Sequence, residues 1–464
     1  MRIIVDLQAA QNDSRFRGVG RYCRSLAKHM APLAASRGHE VWLLLNGNFP
    51  DQVDSIAREF DGVVPRSRIG VFPGMAPVTE TIASNAWRTR AAECLREEFL
   101  AQLRPDVVHV SSLFEGSVDD AVVSVGRGST QLPTAITLYD LIPWTLPHLY
   151  ITTPEYERYY HRKLDSLRRA DLLLAISRHS AEEAVRLLPC NPAMVVNISA
   201  SIDDDFAFRM HEPHHSAKVM ERYGILKPFV LYMPGGFDLR KNFATLFDAY
   251  SRMPSEIRRS HQLVIGSNIK PAERAALEAL IATKRLAREE VVMTGYVSDN
   301  DLVTLYSLCR VHVFPSLYEG FGLPALESLA CGAPTIASNT SSLPEVIGLE
   351  DALFDPNSAQ SIADKLLRTL TDELFSTRLR QHGLSRARRF SWEKSAALAM
   401  DAIERTFTSC GRPQVKSKSA DELITAVLSA ISPSKPSTAP TADDLVLLMR
   451  SAREAAQELA KLTQ

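Results

Sequence analysis

Short apolar runs of strand length alternate with longer stretches whose apolar residues recur at helical spacing along most of the chain. Residues 3–7, 41–45, 107–110, 134–138 and 172–176 are expected strands, with helical patterns such as 20–35 and 86–103 between them. This β-α-β-α rhythm predicts parallel sheets covered by helices on both faces. The rhythm breaks at Asp203-Asp204-Asp205 and the polar stretch opening at His211. It restarts at residues 229–233, 262–265, 291–294, 311–314 and 334–337. Two Rossmann-like halves joined near residues 205–220 are the simplest arrangement. Residues 411–441, rich in Pro, Ser, Thr and Lys, read as a linker. Beyond it Leu445, Leu448, Met449, Ala452, Ala456, Leu459 and Leu462 recur at helical spacing, predicting an amphipathic helix packed on its own or a neighbouring subunit.

Composition narrows the class without changing this picture. A length of 464 residues with 45% hydrophobic residues is ample for more than one core. A formal charge of −1 lacks the basic footprint of a nucleic-acid coat, so no nucleic-acid partner is expected. No stretch approaches the roughly 18 consecutive apolar residues of a membrane span. The opening MRIIVDLQAA reads as a first strand and not as a signal peptide. Cys23, Cys94, Cys190, Cys309, Cys331 and Cys410 are scattered, as buried thiols of a reducing, cytoplasmic compartment would be.

The chemistry concentrates after the strand at 311–314. Gly320 and Gly322 let the backbone approach a ligand, and Pro324 falls where a helix accepts proline, in its first turn. A glycine-punctuated loop opening a helix offers unpaired N–H groups to a diphosphate. Glu319 and Glu327 bracket that loop. The segment SLYEGFGLPALESLACGAPTIAS (316–338) resembles the E-x7-E signature of retaining, family 4 glycosyltransferases of the GT-B fold. The likeness extends through TGYVSDNDLVTLYSLCRVHVFPS, SSLPEVIGLEDALFDPNSAQSIADKL and FSWEKSA, and to GVGRY and TLYDLIP in the first half, covering about residues 1–410.

The resemblance implies an α/β fold of two Rossmann-like domains facing a central cleft, plus a C-terminal helical tail. Residues 1–205 would form the acceptor domain, with 386–410 crossing back onto it. Residues 215–385 would form the nucleotide-sugar domain, and 411–464 the linker and helix. Glu327 matches the carboxylate that holds the donor ribose, and Glu319 the one beside the donor sugar. Gly320, Phe321, Gly322 and Leu323 match the loop and helix start at sugar and phosphate. Gly295, Tyr296 and Val297 match the turn beside the nucleobase. Lys241 matches the diphosphate lysine. Many members carry Arg where this chain has Gly236, so Arg240 is the candidate for the second cation.

In the first half, Gly18 and Gly20 are expected in the loop after the first strand. Tyr139 and Asp140 stand where many members have His-Asp; a tyrosine there donates a hydrogen bond but shuttles no proton near neutral pH. His109 and Glu115 are further candidates. Asp203–Asp205 and His211, His214 and His215 read as solvated loop and linker, so no metal and no cofactor is expected. The Tyr156–Arg169 segment, mixing aromatic and basic residues, leaves peripheral contact with the inner face of a membrane open against a solvated helix. The implied activity is transfer of a hexose, foremost mannose from GDP-mannose, to a glycan or lipid-linked saccharide in polysaccharide or O-antigen assembly. A UDP-hexose or dTDP-rhamnose donor, a nucleotide-sugar epimerase, and a non-catalytic subunit docking through its C-terminal helix are the alternatives.

Overall fold

A computed structural model describes residues 1–210, 212–408, 415–431 and 439–463. His211, Cys410 and parts of the expected linker lie outside the described residues. The first sheet has seven strands in the order β3-β2-β1-β4-β5-β6-β7. They are β1 (Arg2–Asp6), β2 (Glu40–Asn46), β3 (Ile69–Phe72), β4 (Val107–Val110), β5 (Thr134–Leu138), β6 (Leu172–Ala175) and β7 (Val195–Asn197). The second has six, in the order β10-β9-β8-β11-β12-β13. These are β8 (Phe229–Tyr232), β9 (Gln262–Gly266), β10 (Val291–Gly295), β11 (Val311–Phe314), β12 (Thr335–Ser338) and β13 (Leu353–Phe354). Every pairing is parallel. Helices cover both faces of such sheets, which is why Ile3, Ile4 and Val5 are all buried in one uninterrupted apolar run.

The chain divides into two compact units. One comprises Met1–Ile176, Ser180–Ser199 and Trp392–Gln464; the other comprises Ser177–His179 and Ala200–Ser391. The return to the first unit occurs at Trp392, whose ring meets Tyr22 edge-on at 5.0 Å. Its helix, Trp392–Phe407, packs along the Gly18–Ser36 helix.

Two expectations are corrected. The 411–441 segment is not simply a linker, because it contains the helix Ala420–Ile431. Leu423, Val427 and Ile431, one helical turn apart, are buried in the first unit's core. Together with the Ala442–Thr463 helix, that helix covers the Ala86–Gln102 helix, and Ala442–Thr463 also reaches β3. Leu448, Ala452, Ala455 and Leu459 join a core that contains Phe72, Trp87 and Phe99. Arg88 pairs with Asp444 at 2.6 Å, and Ser451 Oγ donates to the Gly74 carbonyl at 2.9 Å. The apolar stripe expected to pack on its own or a neighbouring subunit therefore serves mainly its own unit, although Leu445 and Met449 stay exposed.

Second, the stretch after His211 is helical from Pro213 to Arg222, with proline in the first turn where its missing N–H is harmless. His214 and His215 sit on this helix, and His215 Nε2 lies 3.2 Å from Thr304 Oγ1. The Tyr156–Arg169 segment lies largely on the Pro154–Arg168 helix, which turns Tyr159, Tyr160, Leu164 and Leu167 inward, while Arg162 binds Glu80 and Glu93. Its outer face carries Arg158, Glu157, His161 and Asp165, a mixed-charge surface. No helix among the described residues is long and apolar enough to cross a membrane.

Candidate active site

In an open parallel sheet, ligands sit beyond the carboxyl ends of the strands where the strand order reverses. In the second sheet that point lies between β8 and β11. The loops leaving these two strands are tied together by backbone contacts. The Leu317 N–H donates to the Arg240 carbonyl at 2.8 Å, and the Tyr232 hydroxyl donates to the Lys241 carbonyl at 2.6 Å. Asn242 turns the chain with φ +62° and donates its amide to the carbonyls of Pro315 (3.0 Å) and Pro356 (2.8 Å).

This framework brings Lys241, Arg240 and Glu319 together. Lys241 Nζ lies 2.6 Å from Glu319 Oε1, and Arg240 Nη1 lies 2.8 Å from Glu319 Oε2. Arg240 also donates to the Tyr318 carbonyl at 2.8 Å and approaches Asp238 at 3.2 Å. Lys241 and Glu319 are both buried. Burial raises the Glu319 carboxyl, but the Lys241 and Arg240 cations outweigh it and hold the group below the usual carboxylate range. Burial lowers the Lys241 ammonium against the opposing pull of Glu319. Two cations are thus matched by two carboxylates, a balance that an arriving anion would upset by competing for the cations. Gly236 is not needed for space, since a Cβ there meets nothing closer than Asp238 Oδ2 at 3.7 Å. Arg240 is the second cation on Glu319.

The loop after Glu319 is clamped from one side. Ser342 Oγ donates to the carbonyls of Glu319 (3.0 Å) and Phe321 (2.7 Å), and the Glu319 N–H donates to Ser341 Oγ at 3.0 Å. Gly322 has φ +104°, and a Cβ there would sit 2.7 Å from Leu343 Cδ2, so glycine is required. It opens the Leu323–Ala330 helix with no side-chain cap beside buried Gly320 and Phe321; Pro324 has no N–H to satisfy, and the Ala325 N–H donates to the Gly322 carbonyl at 3.0 Å. One turn in, Glu327 is buried and accepts from the Tyr306 hydroxyl at 3.3 Å. At the end of β10, Gly295 (φ +75°) leads to Tyr296, which is 72% exposed, and to buried Val297.

The remaining candidates lie in the first unit. Gly18 and Gly20 are not in the loop after β1; they form the first turn of the Gly18–Ser36 helix. Gly20 is set by the chain's own approach, since a Cβ would lie 2.5 Å from Arg15 Cα and Ser14 O. His109 is interior to β4, 1% exposed, with Nε2 2.9 Å from Thr137 Oγ1. Burial lowers it to about 4, so it is a neutral core histidine and not a surface base. The Tyr139 hydroxyl donates to the Ser111 carbonyl at 3.1 Å beside Cys23 Sγ, and burial raises it well above its ordinary range. Asp140 accepts from the Ile142 N–H at 3.0 Å at the start of a short helix. Glu115 is buried and accepts from Asn12, Ser14 and Ser112, which pins the loops after β1 and β4. Among the described residues no His, Cys, Asp or Glu side chains group in threes to hold a metal ion.

Asp238, Tyr306, Ser341 and Ser342 join the site although the sequence reading did not single them out. Tyr306 had a signal, being in helical phase with buried Leu302, Leu305 and Cys309. Ser341, at φ +53°, had none, because its role comes from a loop crossing from β12.

Family models carry the comparison further. Residues 16–206 match Glycosyltransferase Family 4, and residues 217–386 match Glycosyl transferases group 1. The chain belongs to this glycosyltransferase family. A serotype-specific mannosyltransferase WbdA of Escherichia coli is 33% identical over 88% of the chain and 48% of its own length. The chain thus spans about half the length of the WbdA relatives it matches. An O-antigen chain mannosyltransferase B of Escherichia coli is 29% identical over 83% of the chain and 96% of that protein. Sucrose-phosphate synthase from Thermosynechococcus elongatus superposes with a TM-score of 0.64 at 22% identity, covering 89% of this glycosyltransferase and 100% of that chain. The shared architecture is GT-B, with one parallel sheet per unit. The group 1 match encloses Arg240, Lys241, Glu319 and Glu327.

Proposed function

We propose that this glycosyltransferase moves mannose from GDP-mannose to a saccharide acceptor with retention at the anomeric carbon. The observation that carries this reading is the Lys241–Glu319–Arg240 cluster, set at the strand-order reversal beside a glycine-opened helix. Lys241 and Arg240 would exchange their carboxylate partners for the donor diphosphate and stabilise the charge that grows as it departs. Backbone amides at Gly320–Leu323 would face the sugar and phosphate, and Glu327 would accept from the ribose hydroxyls. Mannose as the sugar is supported by the mannosyltransferases of the WbdA and O-antigen type that the chain resembles.

No side chain of the site stands out as a nucleophile, and Tyr139 is tied to Ser111. This favours front-face displacement: the acceptor oxygen bonds to the anomeric carbon as the bond to the phosphate oxygen breaks. The departing phosphate takes the acceptor proton. The protein contributes position and electrostatics around an oxocarbenium-like transition state.

Calorimetric titration with GDP-mannose, UDP-glucose, UDP-GlcNAc and dTDP-rhamnose tests the donor. Selective binding of GDP-mannose, lost in Glu327→Ala, is expected, with kcat falling about 10²- to 10³-fold in Lys241→Ala. Selective binding of another donor would reassign the sugar or base, and binding of none would remove the reading. The anomeric coupling of the product separates retention from inversion, and inversion would rule out front-face displacement.

A further inference from the structure

Beneath the candidate site runs a buried column of rings. Lys241 Nζ lies 5.9 Å from the centre of the Phe314 ring. Phe314 stacks with His312 at 5.9 Å and 30°, and His312 meets the Tyr306 ring edge-on at 5.3 Å and 90°. Tyr306 then reaches Glu327 through its hydroxyl. The column therefore spans from the cation that would meet the diphosphate to the carboxylate that would meet the ribose.

All three rings are 0% exposed. His312 has no hydrogen-bond partner on either nitrogen among the described residues. An imidazole left unpartnered costs more than an apolar ring in that place, so its contribution is shape. From β11 its ring packs edge-on against Tyr306. A glutamate has three side-chain torsions to order, and a donor fixed on one oxygen removes much of that freedom before ligand arrives. Burial, and then the charge of Glu327, keep the Tyr306 phenol protonated and therefore a donor.

We propose that Tyr306 is a positioning residue: its hydroxyl, held by the His312–Phe314 stack, sets the Glu327 carboxylate for the two ribose hydroxyls of the donor nucleotide. This rests on the reading of Glu327 as the ribose carboxylate, and the test separates the two.

The probes are GDP and 2′,3′-dideoxy-GDP, titrated calorimetrically into the full chain, with the uridine pair run alongside. The variants are Tyr306→Phe and Glu327→Gln, and thermal melting verifies that each is folded. Tyr306→Phe should weaken GDP about three- to tenfold while leaving the dideoxy nucleotide unchanged. It should raise the donor KM and spare kcat, because a ribose contact is made equally in ground and transition states. Its effect should vanish in the Glu327→Gln background. Equal weakening of both nucleotides, or no weakening of either, would overturn the role of Tyr306. If Glu327→Gln itself still discriminates GDP from the dideoxy form as the parent does, the ribose reading of Glu327 falls, and Tyr306's role with it.

Discussion

Two histidines of this chain are neutral for the same reason, and that makes stability depend on pH. His109 and His312 are buried in β4 and β11, and burial lowers them to about 4 and about 3 from an ordinary value of 6.5. Below 6.5 the unfolded chain takes up protons that the folded chain refuses, so acid favours unfolding. Each histidine then contributes a loss of about 1.4 kcal/mol per pH unit, continuing until its own folded value is reached. Urea midpoints should be flat above pH 7 and fall steadily from about pH 6 downward. His312→Phe should make that fall shallower, and an unchanged slope would show that His312 already accepts a proton in the folded state. Glu319 adds to the same trend in stronger acid: burial raises its carboxyl, but two cations hold it below the ordinary carboxylate range, so the unfolded chain takes up this proton before the folded chain does.

At the scale of elements, the C-terminal helices matter most for stability. Leu423, Val427, Ile431, Leu448, Ala452 and Leu459 are all buried against the first unit. They let the Ala86–Gln102 helix be buried almost all round despite Glu93, Arg96, Glu97 and Glu98. Each of those charges has a partner: Arg162 for Glu93, Asp6 for Arg96, the Gly128 N–H for Glu97 and Lys418 for Glu98. Deleting the chain from residue 415 onward should expose Trp87, Phe99 and their neighbours. The expected outcome is a lower melting temperature and growing light scattering, whereas an unchanged melt would mean these helices only rest on the surface. A hydrophobic run signals a strand when it is long and flanked by polar residues, which is why the central strands of both sheets are legible. The edge strands β7 and β13 are only three and two residues long, too brief to read, and in β3, which is as long as β4 and β11, Gly70 interrupts the apolar run. Ala420–Ile431 was hidden by averaging: prolines and serines on either side make its neighbourhood look like a linker, although Leu423, Val427 and Ile431 keep a strict four-residue step. The Glu319 loop was legible because glycine, proline and acid occur in a fixed local order. The Tyr306–Glu327 contact joins two helices and leaves no such local trace.

Across the whole molecule the two units differ in how they use the chain. The second is essentially one continuous segment, Ala200–Ser391, and it contains Arg240, Lys241, Tyr306, Glu319 and Glu327. Expressed alone, residues 200–391 should give a cooperative melt by circular dichroism, whereas residues 1–199 alone should not. A cooperative melt for 1–199 would show that its core closes without Trp392 and the helices that follow. The first unit is built from both ends of the described chain, and this sets an order of events on the ribosome. Domains usually mature in the order they are made. Here the segment translated first waits for partners translated last, while the later segment has all it needs. At about 5–20 residues per second, the Ala200–Ser391 stretch takes on the order of 10–40 s to synthesise. For at least that interval, until Ala420–Ile431 and Ala442–Thr463 are made, the apolar side of the Ala86–Gln102 helix stands open, a natural client surface for chaperones before the last helices shut it.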